Sequence, residues 1–101
     1  MAFESIVVTV DRDIADLVPL FLEQRKTDLE AMAAAIPEGD FAALRRIGHG
    51  MAGSGSSFGF DTISALCERL MLAARAGNTQ TLRVLQVELA DYLERVVVNV
   101  L

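Results

Sequence analysis

Four glycines, Gly48, Gly50, Gly53 and Gly55, lie within one short segment of this 101-residue chain. They are the feature that most narrows what it can fold into. Around them Phe41, Leu44, Gly48, Met51, Gly55 and Phe58 step by three and four, the spacing of one helical face turned toward a core. A glycine inside a helix costs roughly 1 kcal/mol relative to alanine, so the segment is helical only if packing against other elements overrides local preference. One alternative is a glycine loop that cradles phosphate, but no Gly-Lys-Ser/Thr follows and no strand pattern precedes, which rules against a P-loop.

The steric reading explains more. Residues three and four apart are neighbours on a helix, so Gly53 sits one turn above His49, the only histidine. Gly50 flanks it, and Arg45 and Arg46 lie one turn below on either side. Gly48 and Gly55 fall on the inward side, where they let another helix backbone come close. The expected result is an exposed histidine on a rigid helix, open to a large partner. A lone histidine is most often an ordinary surface or core residue; the cleared surroundings point to a nucleophilic one, since a free imidazole is substantially uncharged at neutral pH. Ser54, Ser56 and Ser57 have no second histidine or acid nearby in the segment, which argues against a Ser-His-Asp nucleophile. They are expected to return hydrogen bonds to backbone carbonyls, with one of them orienting the other imidazole nitrogen.

The remaining pattern is helical. Residues 1–10 form an extended lead-in whose β-branched run, Ile6 to Val10, has nothing evident to pair with, and 11–101 make a single bundle domain. Asp11 or Asp13 caps a short first helix through Leu17. A second helix starts at Pro19 and ends near Ile36, stopped by Pro37 and Gly39. Asp40 caps a third, which carries the glycines and stops near Phe58-Gly59. Asp61 caps a fourth with a stripe of Ile63, Leu66, Cys67, Leu70 and Ala74, closed by Gly77. Thr79 opens the last, striped by Leu82, Leu85, Leu89, Tyr92 and Val96, before Val97 to Leu101 fray. Four substantial helices with short turns predict an all-α, antiparallel up-and-down four-helix bundle with a short extra N-terminal helix.

Composition removes several function classes. The chain is long enough for one core and no more. Its apolar runs are far shorter than the ~18 residues of a membrane helix, and no leader pattern opens it, so a soluble cytoplasmic protein is expected. One cysteine and one histidine make neither a disulfide nor a structural zinc site; Cys67 reads as a small buried hydrophobe. A net charge of −5 argues against a nucleic-acid partner.

The stretch His49-Gly50-Met51-Ala52-Gly53-Ser54-Gly55-Ser56-Ser57-Phe58-Gly59-Phe60 resembles the histidine-containing phosphotransfer (HPt) domains of bacterial multistep phosphorelays. Their motif reads His-x-Leu/Met-Lys-Gly-Ser, and one branch continues Gly-Gly-Ser-Tyr-Gly-Phe. The match is in register and the flanking helical pattern extends it over about ninety residues, but Ala52 stands where the family has lysine. The resemblance implies that His49 is a phosphoacceptor relaying a phosphoryl group between receiver aspartates. Arg45, Arg46, Gly50, Ala52, Gly53 and Ser56 would form the partner-access and phosphate environment. It implies a carrier more than an enzyme, with no cofactor of its own, because Mg²⁺ and the acidic pocket belong to the response-regulator receiver domain. A hybrid histidine kinase is a further partner class. A bundle that closes on itself is expected to be a monomer. Two other readings stand beside this one. The first is a non-phosphorylated helical adaptor that binds a receiver or kinase domain, which the absent lysine keeps open. The second is a histidine-kinase dimerisation pair, disfavoured because Gly50 follows the histidine where that family has an acidic residue.

Overall fold

A computed structural model describes residues 4–101. Strand β1 (Ile6–Val10) leads through a 3-10 helix (Arg12–Leu17) into helices α1 (Val18–Glu38), α2 (Phe41–Ser57), α3 (Asp61–Arg75) and α4 (Thr79–Arg95), and strand β2 (Val96–Val100) follows. The 3-10 helix occupies the place of the expected short first helix, and the Asp11 carboxylate accepts from the Asp13 amide 3.0 Å away at its start. Helix α2 packs on α3, α3 on α4, and α1 on both α2 and α4, so the four helices close around one core. Met32, Leu44, Met51, Phe60, Ile63, Leu70, Leu82, Leu85 and Leu89 are fully buried there. Each such side chain contributes about 1.5–3 kcal/mol relative to exposure, which offsets the glycine cost in α2.

The connections are short because three helix ends are built alike. Gly39, Gly59 and Gly77 take left-handed φ values of 65°, 82° and 66°. The residue after each glycine donates its amide back to the finishing helix: Asp40 to Ala35 O at 3.1 Å, Phe60 to Gly55 O at 2.8 Å and Asn78 to Ala73 O at 2.9 Å. That same residue then starts the next helix. Asp40 and Asn78 accept from the Ala43 and Thr81 amides, both at 3.1 Å. Phe60 has no capping side chain, so the expected cap at Asp61 is replaced: Asp61 lies inside the first turn of α3, where its charge suits the helix N-terminus. Nor does Pro37 stop α1. A proline disturbs the turn before it, by lacking an amide and by crowding the carbonyl four residues back, and so near the helix end α1 still runs on to Glu38 before Gly39 turns the chain.

The two ends of the chain depart most from expectation. Ile6–Val10 is no unpaired lead-in, and Val96–Val100 does not fray; they pair in parallel, Ile6 with Val96 through Val10 with Val100. The described part of the lead-in is thus a strand, while Met1 to Phe3 lie outside the described residues. Val10 is buried, and Ile6, Val8, Val96 and Val98 pack against the bundle core. The ribbon is fastened at both ends: the Leu101 amide donates to Val10 O at 3.0 Å, Arg95 Nε to Glu4 O at 2.8 Å, and Arg12 Nε to Leu101 O at 3.0 Å.

Candidate functional site

Helix α2 runs unbroken through all four glycines, and the structure divides them into two pairs. A Cβ at Gly48 would lie 3.0 Å from Leu70 Cδ2 and from Met71 Cγ, and one at Gly55 would lie 3.0 Å from Ser64 Oγ and 3.2 Å from both Ile63 Cγ2 and Phe60 O. These two glycines let α3 lie against the α2 backbone. Ser64 Oγ makes use of that approach and donates to Ala52 O at 2.7 Å. At Gly50 and Gly53 a Cβ would meet nothing within 4 Å. Those glycines leave the solvent side of the helix bare beside His49, which is exposed.

Arg45 and Arg46 are exposed one turn below His49, and none of the ion pairs among the described residues uses them. Ala52 is half-buried on the side toward α3. The serines go their own ways. Ser54 Oγ donates to Gly50 O at 2.9 Å and Ser57 Oγ to Gly53 O at 3.1 Å, while Ser56 is exposed. The hydroxyls of Ser54 and Ser57 thus brace the glycine-bearing turns and are committed there instead of to the imidazole. Phe58 and Phe60 fasten the end of α2 to α1: Phe21 stacks on both, with ring centroids 4.6 and 5.0 Å away.

Arg25 of α1 was not singled out by the sequence. Its side chain is only 11% exposed, its Nη1 donates to Ser54 Oγ, its Nε is 2.9 Å from Asp28 Oδ2, and its guanidinium lies 5.0 Å from the Phe21 ring centroid. It forms one wall of a shallow pocket of about 260 Å³ whose other walls are Leu17, Leu20, Phe21, Gln24, Ser54 and Phe58. Arg25 therefore joins α1 to α2 one turn beyond the histidine. Its sequence signal was a charge on an apolar stripe, four residues after Phe21. Burial raises the Asp28 carboxyl above its usual range despite the opposing Arg25 charge. Burial also pushes the Cys67 thiol up to about 12, so this cysteine is inert where it sits. Among the described residues no group of His, Cys, Asp and Glu is placed to hold a metal ion, and no helix is long and apolar enough to cross a membrane.

The site is thus one exposed histidine, offered by a helical bundle from a helix that glycine keeps slim. The family model of the Hpt domain matches residues 16–98, and the chain belongs to that family. Comparison with curated proteins and with solved structures gives no match. Membership assigns the chain to phosphotransfer in phosphorelay signalling, as a phosphocarrier module that works with receiver domains.

Proposed function

We propose that His49 is the phosphoacceptor, taking a phosphoryl group from the aspartyl phosphate of one response-regulator receiver domain and passing it to another. The observation that carries this reading is the open surface at Gly50 and Gly53 next to an exposed imidazole, in a member of the Hpt family. A neutral imidazole nitrogen attacks phosphorus in line; the N–P bond forms as the P–O bond breaks, and the aspartate leaves as a carboxylate. The receiver contributes Mg²⁺ and an acidic pocket, so this chain needs only to hold the nucleophile in place. Helix packing against α3 and the Arg25 contact support that rigidity. Connections of two or three residues between the helices support an antiparallel, up-and-down order, which sets His49 part-way along a helix where a receiver can cover it. Arg45 and Arg46 supply positive charge near the acceptor nitrogen, and Gly50, Gly53 and Ser56 leave the approach clear. A hybrid histidine kinase carrying its own receiver is the upstream partner class.

Ala52 supports a second reading, a helical adaptor that binds a receiver or kinase without accepting phosphate, because the family's lysine is absent. Incubation with a labelled phospho-receiver separates the two. Acid-labile label on this chain supports transfer; a stable complex with no label supports the adaptor.

A further inference from the structure

Among the described residues no hydrogen bond or ion pair reaches the His49 imidazole, so its place is set by its backbone. That backbone is the part of α2 with least to hold it. Glycine is a poor helix former, and a Cβ at Gly50 or Gly53 would meet nothing within 4 Å.

Two hydroxyls reach into this turn. From α3, Ser64 Oγ donates to Ala52 O at 2.7 Å. Within α2, Ser54 Oγ donates to Gly50 O at 2.9 Å, with Met51 O next at 3.4 Å. A serine hydroxyl left to itself rotates, and its return to the carbonyl four residues back does little for a helix. Here Arg25 Nη1 donates to the Ser54 oxygen, which turns the hydroxyl hydrogen away from α1 and onto the carbonyls beside His49. The guanidinium is itself fixed, with Nε 2.9 Å from Asp28 Oδ2 and the Phe21 ring centroid 5.0 Å away. Stability does not require a charge at this place. An ion pair so far out of water gains little beyond its desolvation cost, and apolar side chains of similar volume serve the packing as well or better.

We propose that Arg25 is a positioning residue: through Ser54 and Gly50 it holds the turn that carries His49, so that the imidazole meets the aspartyl phosphate in one orientation. The consequence for transfer rests on the phosphotransfer reading; the brace itself rests on the contacts between α1 and α2.

Two variants remove the link in different ways. Ser54→Ala leaves the Arg25–Asp28 pair in place, while Arg25→Met with Asp28→Leu replaces the pair by apolar side chains and leaves no charge behind. Single-turnover transfer from a phospho-receiver at rising receiver concentration is the first measurement. Each variant is expected to lower the maximal rate roughly tenfold, the order of loss that misorientation of a nucleophile brings, and to leave the half-saturating concentration unchanged. Amide hydrogen exchange is read in the Met/Leu protein, whose α2 is unaltered. Its Ser54 amide, which donates to Gly50 O in the helix, is expected to exchange about tenfold faster, while the amides of fully buried Leu70 and Leu85 keep their protection. Its thermal midpoint is expected to be no lower than that of the wild type, which separates positioning from ordinary packing. All three substitutions together are expected to slow transfer no further than Ser54→Ala alone, because they act through one link. Maximal rates that stay at the wild-type value overturn the proposal. So does exchange that rises equally in all four helices, or losses that add in full. A wild type that accepts no phosphoryl group overturns the phosphotransfer reading instead, and the exchange rates then decide the brace.

Discussion

Alanine at Gly53 and alanine at Gly55 should change stability in opposite directions, although the two positions are neighbours on the same helix. Alanine is favoured over glycine in a helix by about 1 kcal/mol. At Gly53 nothing lies within 4 Å of the new methyl, so the full gain is expected. At Gly55 the methyl would sit 3.0 Å from Ser64 Oγ and 3.2 Å from Ile63 Cγ2 and Phe60 O. The serine can rotate away. Phe60 O cannot easily retreat, because it accepts the Ile63 amide at 3.0 Å in the first turn of α3, and Ile63 is fully buried. Overpacking of this kind costs about 1–3 kcal/mol. The net effect at Gly55 is therefore a loss of up to about 2 kcal/mol, and the two variants should differ by about 1–3 kcal/mol. For a domain of this size that separates their midpoints by at least about 4 °C. Urea and thermal unfolding followed by far-UV circular dichroism measure it. A Gly55→Ala protein stabilised as much as Gly53→Ala would refute the close approach of α3 and, with it, the division of the glycines into two pairs.

Gly53→Arg should keep or slightly raise helicity while weakening receiver binding, because the long side chain leans back toward His49; unchanged binding in a titration would mean the open surface is not the approach. Ala52→Lys should speed single-turnover transfer from a phospho-receiver by roughly tenfold, the worth of one charge-assisted hydrogen bond, and Arg45→Ala should slow it more than Arg46→Ala. No gain from the lysine and no loss from either arginine would place all charge stabilisation on the partner. Between pH 9 and about 12 the folded Cys67 keeps its proton while the unfolded chain releases it, so stability should fall as pH rises through that window. Cys67→Ala should flatten the slope without abolishing it, since burial also raises Tyr92 above its ordinary 10.0; an identical slope in the variant would contradict the assignment.

The parts of the fold that were legible in the sequence are those whose cause is local. Helical stripes, Asp40 as a cap and glycines at helix ends all act within one or two turns, and a single window of sequence contains both partners. The strand pair was illegible because its partners, Ile6 and Val96 for example, stand at opposite ends of the chain. Each strand alone is five residues with β-branched side chains and no turn to specify a mate. Arg25 was missed for a related reason. Its contacts to Ser54 and Phe21 depend on how α1 lies on α2, and a charge on a helix is by default solvated. The glycine segment was readable because its spacing set inward and outward faces before any neighbour was known: Gly48 and Gly55 face α3, and Gly50 and Gly53 face open space.

The central claim is that one imidazole carries the phosphoryl group. It is tested most directly by incubating the chain with a phosphorylated receiver and locating the modification by phosphorus NMR and by mass spectrometry under neutral conditions. Phosphohistidine at His49, absent from a His49→Gln protein that folds with the same circular dichroism, is the predicted result. A phosphoryl group on any other residue, or label retained by His49→Gln, would contradict it.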